Sequence, residues 1–247
     1  MYSESHCHVR SAGDEAIEKA VKAGVELVLA AGIDMDSSED AVKTAEKFEI
    51  VKGCVGIHPW YADDYSPENL QRLKEMAKDP NVVAISEIGL DYAGRMTKSW
   101  ERSSEVVDHD IQRNTLRKQI GLAKELGLPV LVHDRAPGQE VLDILEEEGA
   151  TEVGAAIHGF TKDAAYAERA TRMGIYLSIG RAVTRGENEE LVDAIRRTPL
   201  EWILTETDSG DPTGVIAVAE KIAEIKGLTR EDVGLTATRN LKRLLGL

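Results

Sequence analysis

Five of the six histidines in this 247-residue sequence, His6, His8, His58, His133 and His158, fall where short apolar runs give way to polar segments. Imidazole is the commonest metal ligand in proteins. The spacing His6-x-His8 has its own logic, because residues i and i+2 of an extended strand point to the same side and can bind one cation together. Two carboxylates occupy matching positions, Glu87 and Asp208. Glu87 lies in Ile85-Ser86-Glu87-Ile88, where an acid must be paired, protonated or bound to metal. An ion pair with Arg or Lys is the competing reading for Glu87, and an N-cap role is the competing reading for Asp208. A lone histidine is more often a satisfied core residue, but several at corresponding positions are hard to explain by packing. Together His6, His8, Glu87, His133, His158 and Asp208 have the composition of a site for two divalent cations, with Asp208 and Glu87 as its catalytic carboxylates. The chemistry of such a site is hydrolysis by a metal-activated water. Mg2+, Mn2+, Zn2+ and Ni2+ are the candidates; imidazoles favour Zn2+, whereas Mg2+ prefers oxygen.

The elements that must position these groups are legible as an alternation. Strand signals lie near residues 2–8, 25–33, 51–58, 82–91, 129–135, 153–160, 174–180 and 202–208, each followed by an amphipathic helical stretch. Near-continuous apolar runs such as Leu27-Val28-Leu29-Ala30-Ala31 suit strands buried on both faces. Eight such units predict a single (β/α)8 TIM barrel in one domain, with the histidines at the C-terminal ends of strands 1, 3, 5 and 6. That rim is where barrel enzymes carry their active sites. Only His109 lies elsewhere. Ser66-Pro67-Glu68 supplies an N-cap and an N1 proline, Gly127 a helix stop, and residues 229–245 a closing helix. The polar stretch 93–110 is the longest irregular one, and would overhang the rim as a lid or substrate-selecting segment or serve as a solvated loop.

Composition narrows the class. Hydrophobic residues at 42% and charged residues at 30% argue against disorder and against a coiled coil. No apolar run is long enough to span a bilayer, and the first residues lack the basic and apolar regions of a signal peptide, so a cytoplasmic protein is expected. Cys7 and Cys54 are expected to be reduced, with Cys7 turned away from the flanking histidines into the barrel wall. A net charge of −14 repels phosphate backbones, so any nucleic acid must be gripped locally, where two divalent cations would supply about four positive charges. No protein partner is expected.

Five segments carry a family resemblance: Ser5-His6-Cys7-His8, Val55-Gly56-Ile57-His58-Pro59, Ser86-Glu87-Ile88-Gly89-Leu90-Asp91-Tyr92, Pro129-Val130-Leu131-Val132-His133-Asp134-Arg135 and Glu206-Thr207-Asp208. Their order and spacing resemble the TatD family of the amidohydrolase superfamily over nearly the whole chain. The resemblance implies divalent-metal-dependent hydrolysis, with 3′-5′ exonuclease activity on DNA as the activity usually ascribed to the family. It further implies that His6, His8 and Asp208 hold one metal, that His133 and His158 hold the second, and that Glu87 bridges them. His58 matches a histidine placed to meet the substrate's phosphate, and Arg135 an arginine of the same region. Glu4 and Arg10 stand where the family commonly has Asp, and Asp or Asn. Ser209-Gly210-Asp211 replaces a segment with proline, and Ala136-Pro137-Gly138-Gln139 lacks the usual acidic residue.

These departures spare every proposed ligand and change the loops that select a substrate. A second reading therefore keeps the metal site and changes the bond, to a small ester, lactone, amide or phosphoester. A third, from another class, is a barrel without catalysis that binds metal or a partner. Trp60 beside His58-Pro59 offers either an aromatic face for stacking or a packing surface.

Overall fold

The computed structural model describes residues 1–9, 13–95, 101–185 and 188–247. Arg10 and part of the 93–110 stretch, residues 96–100, lie outside them. Strands and helices alternate as β1 (Tyr2–Cys7), α1 (Gly13–Lys22), β2 (Val25–Ala31), α2 (Met35–Lys47), β3 (Val51–Val55), α3 (Pro67–Met76), β4 (Val82–Asp91) and α4 (His109–Leu126). The second half continues with β5 (Val130–Arg135), α5 (Glu140–Glu147), β6 (Ala155–His158), α6 (Ala164–Arg172), β7 (Ile175–Ile179), α7 (Glu189–Arg197), β8 (Ile203–Thr205), α8 (Val215–Lys226) and α9 (Arg230–Leu245). The eight strands pair in sequence order, every pair parallel, as a (β/α)8 barrel requires.

Alternation along the strands divides the core in two. Val28 and Ala30, Val130 and Val132, Ala155 and Ile157, and Ile175 and Leu177 pack with helix residues such as Ile17, Leu116 and Leu145. Their neighbours Leu27, Leu29, Leu131, Ala156, Tyr176 and Leu204 instead form an interior cluster that Leu241 and Leu244 of α9 help to fill. The metal-ligand candidates are the next inward positions above this interior layer: Leu131 precedes His133 by two residues, and Ala156 precedes His158 by two. Cys7 belongs to the helix-facing cluster, so the side chains on either side of it face inward. Both cysteines are buried and free.

The helix ends follow the sequence signals. Ser66 Oγ accepts from Asn69 N at 3.1 Å ahead of Pro67, and Thr229 caps α9. Gly127 ends α4 with φ of 68°, a conformation costly to residues with a Cβ.

The strands stop earlier than the sequence suggests. β1 ends at Cys7, β3 at Val55 and β8 at Thr205, which leaves His8, His58 and Asp208 just beyond strand ends rather than within them. At His58 the chain enters a 3-10 turn, Pro59–Asp64. At Asp208 it takes φ of 49°, and no extended ladder passes through such a residue.

Barrel closure is unlike the other seven strand contacts. Between β8 and β1 side chains do much of the joining: Thr205 Oγ1 donates to Ser3 O at 2.8 Å, and Glu4 Oε1 accepts from both Thr207 N and His6 N at 3.0 Å. Two backbone bonds complete the seam above it, Asp208 N to His6 O at 3.0 Å and His8 N to Ser209 O at 2.9 Å.

Candidate metal centre

Glu87 is the hub of the rim. Its Oε2 lies 3.1 Å from His6 Nε2 and 3.9 Å from His8 Nε2. Its Oε1 lies 2.7 Å from His133 Nδ1, 2.7 Å from His158 Nε2 and 3.3 Å from His58 Nε2. β4 delivers the carboxylate and β5 and β6 deliver His133 and His158, which are ladder partners. The approach of β4 to β5 depends on Gly89, paired with His133, where a Cβ would meet the His133 carbonyl oxygen at 2.0 Å.

In His133, His8 and His58 the outer nitrogen is hydrogen-bonded to another group, and this decides how the ring meets the hub. Asp91 Oδ2 lies 2.9 Å from His133 Nε2, so that nitrogen carries the proton and the Nδ1 lone pair faces Glu87 and His158 Nε2. His8 Nδ1 donates to Ala31 O at 3.3 Å, which turns its Nε2 toward Asp208 Oδ1 at 3.1 Å, a contact that is a hydrogen bond when that nitrogen carries a proton. His158 Nδ1 faces Glu206 Oε1 at 3.4 Å, too poorly placed for a hydrogen bond but close enough for the carboxylate's charge to act. His6 Nδ1 is buried without a partner. His58 differs in kind: its Nδ1 accepts from Trp60 N at 3.0 Å, so the proton sits on Nε2 and the side chain is a donor.

Electrostatics follow from this crowding. Burial opposes ionisation of Glu87, but His158, His58 and His6 outweigh it and hold the carboxyl well below its usual range. Burial lowers His58 to about 4, which leaves it neutral at pH 7. Burial and the neighbouring His158 lower His6, whereas Glu87 and Glu206 overcome burial to raise His158. Asp208 is held below the usual carboxylate range because the His8 hydrogen bond and the nearby His158 and His6 outweigh its burial. Burial pushes the Glu4 carboxyl well up despite its hydrogen bonds, and its Oε2 has no partner.

The donor set fits a divalent cation. Among the described residues, ligand atoms of His6, His8 and Glu87, of Glu87, His133 and His158, and of His58, Asp91 and His133 form groups whose members all lie within 4.8 Å of one another. Imidazole lone pairs directed at one buried carboxylate, with two ring nitrogens 3.1 Å apart, ask for cations rather than for protons on every ring. Asp208 reaches the cluster through His8, with its side chain 39% exposed. Arg181 secures its unusual backbone by donating from Nε to Thr207 O at 2.7 Å and from Nη2 to Asp208 O at 3.3 Å.

All six ligand candidates and His58 thus gather at one end of the barrel, and Arg135 stands at its edge, 3.9 Å from Asp91 Oδ2 and 38% exposed. Asp91, Glu4 and Arg181 took no role from the sequence. Asp91 had a signal: it stands four residues after Glu87 on an inward-alternating strand. Glu4 stands two before His6 in the same way. Arg181 had none, since it acts across the β7 and β8 loops on backbone oxygens.

Residues 4–246 match the family model described as TatD related DNase. The uncharacterized metal-dependent hydrolase YabD of Bacillus subtilis is 34% identical over 99% of this chain and 98% of its own. Deoxyribonuclease TATDN3 of Homo sapiens is 31% identical over 98% of this chain and 93% of its own. The crystal structure of YJJV, a TatD homolog of Escherichia coli, shares the fold with a TM-score of 0.88 at 22% identity, covering 100% of this chain and 98% of that one. On the matched length and the identity to these relatives, the chain belongs to the TatD-related DNase family.

Proposed function

We propose that this TatD-family metal-dependent hydrolase cleaves phosphodiester bonds of DNA from the 3′ end at a centre of two divalent cations, drawn from Mg2+, Mn2+, Zn2+ and Ni2+. The observation that carries the reading is the division of Glu87: one carboxylate oxygen faces His6 and His8, and the other faces His133 and His158. His6, His8 and Asp208 would hold one cation, His133 and His158 the other, and Glu87 both. Bound divalent cations supply Lewis acidity and lower the pKa of water toward neutrality.

The chain's own groups account for the rest. Asp208, ionised at neutral pH and engaged with His8 only through Oδ1, takes the proton of the attacking water at Oδ2. His58 presents a neutral Nε2–H donor to a non-bridging phosphate oxygen, a task its Trp60 bond suits it for. Arg135 holds a second oxygen through its planar guanidinium. Asp91 orients His133 and lies beside Arg135, so it couples a ligand to a substrate contact.

Protein loaded with each metal is expected to shorten single-stranded DNA from the 3′ end, and Asp208→Asn to stop this while the far-UV circular dichroism stays that of wild type. Intact DNA after incubation of wild type with all four metals ends the nuclease reading. A small carbonyl ester or phosphoester is the second reading, favoured by the nitrogen-rich ligand set and the net charge of −14. Chromogenic esters and phosphoesters assayed beside labelled oligonucleotides separate the two.

A further inference from the structure

β3 and β4 stop pairing at Val55 and Ile85, yet β4 runs on to Asp91 and carries Glu87 above the last pair. His58 likewise lies beyond the end of β3. Buried backbone N–H and C=O groups that have lost their strand neighbour need partners from elsewhere, and two side chains of α4 supply them. Gln119 Nε2 donates to Ile57 O at 2.9 Å, and its Oε1 accepts from Ile57 N at 2.8 Å. Gln112 does the same at Asp91: its Oε1 accepts from Asp91 N at 2.8 Å, and its Nε2 donates to Asp91 O at 3.0 Å and to Val107 O at 2.9 Å. Gln112 and Gln119 are 1% and 0% exposed.

A carboxamide sets a donor and an acceptor side by side, as a peptide unit does, so each glutamine stands in for a missing strand residue. Gln112, Thr115 and Gln119 share one face of α4, and Thr115 Oγ1 donates to Ala62 O at 3.1 Å in the turn after His58. At 1.5 Å per residue the two glutamines stand about 10 Å apart along the helix axis, so one helix fixes the ends of both strands relative to each other. The clamped residues are the ones that matter to the site. Ile57 precedes His58, the neutral donor, and Asp91 holds His133 Nε2 at 2.9 Å. Fully satisfied buried polar groups define a single geometry more sharply than apolar packing does.

We propose that Gln112 and Gln119 are positioning residues of the centre: Gln112 sets Asp91 against His133, and Gln119 sets His58 at the substrate's phosphate. The proposal rests on the two-metal phosphodiester reading above. It adds that α4, which contributes no ligand, governs two separate properties of the site from one face, cation binding through Gln112 and phosphate binding through Gln119.

Calorimetric titration of metal-free protein with Mn2+, and of Mn2+-saturated protein with inorganic phosphate, tests it on Gln112→Met and Gln119→Met, which keep the volume and remove the hydrogen bonds. Gln112→Met is expected to weaken one of the two cation-binding steps about ten-fold, as loss of support behind a ligand does, while the saturated protein binds phosphate as wild type does. Gln119→Met is expected to leave both cation steps at wild-type affinity and to weaken phosphate about ten-fold, the equivalent of one hydrogen bond to a charged group. Leu116→Ala, at a core residue of the same helix, controls for loosening: it should lower the Tm and change neither affinity. If a methionine variant does not fold, the asparagine variant, one methylene too short to reach the strand, replaces it with the same expectation. Equal losses in both glutamine variants, no loss in either, or the same losses in Leu116→Ala overturn the proposal. Failure of the underlying reading shows separately, in wild type that takes up fewer than two cations or, when loaded, binds no phosphate, and it takes the proposal with it.

Discussion

Gly89→Ala is a one-carbon change that tests whether strand spacing governs the metal centre. Gly89 has φ of 148°, and an added Cβ would lie 2.0 Å from the carbonyl oxygen of His133 and 2.8 Å from its C and N atoms. Those atoms are backbone of the adjacent strand, so no rotamer relieves the clash. The conformation costs a non-glycine residue about 1–3 kcal/mol, and forcing two packed strands apart adds about 1–3 kcal/mol. A total of about 4 kcal/mol corresponds, for a chain of this size, to a Tm lower by about 8–16 °C. The same displacement draws His133 away from Glu87, so metal affinity should fall by at least about ten-fold. Gly121→Ala is the control: Gly121 is exposed within α4 and its Cβ would meet nothing within 4 Å. It should gain roughly 0.5–1 kcal/mol and leave metal binding alone. Differential scanning calorimetry and competition against a chromophoric chelator read both quantities. A Gly89→Ala protein with wild-type Tm and affinity would refute the claim that this contact sets the site.

Other perturbations probe the groups around it. Arg181→Ala removes two donors from the Thr207 and Asp208 carbonyls and should weaken metal binding about ten-fold with the Tm within a few degrees, Arg181→Lys falling between; unchanged affinity removes Arg181 from the account. Stripping metal with a chelator should lower the Tm, since cation at 100 times its Kd stabilises the fold by about 2.7 kcal/mol, and metal re-addition should restore it; coincident melting curves would count against a centre formed by these residues. Burial raises the thiol pKa values of Cys7 and Cys54, so both stay protonated near pH 8 and should react with a disulfide reagent only as fast as the protein unfolds. Immediate modification of native protein would contradict that burial.

The barrel was legible because its strands repeat one pattern, and Leu131 to His133 shows why the ligands were legible with it: an inward core position is followed two residues later by an inward rim position. What stayed hidden depends on bonds between distant segments. The spacing of Asp91 from Glu87 places it on the inward face, but only its contact with His133 gives it a role. His58 reads like the other rim histidines until the Trp60 backbone N–H fixes its proton on the far nitrogen. The early ends of β1, β3 and β8 were also invisible, since the residues after them continue the same composition while the backbone turns.

Because side chains share in closing β8 against β1, the barrel has one weak stave joint, and His6 and Asp208 stand on opposite sides of it. Opening there parts the two ligands as it parts the staves, so loss of cation and breathing of the barrel become one event. Amide deuteration should therefore be fastest along β1 and β8 in metal-free protein and slow most at that joint when metal returns, with the opposite wall at β4 and β5 little changed.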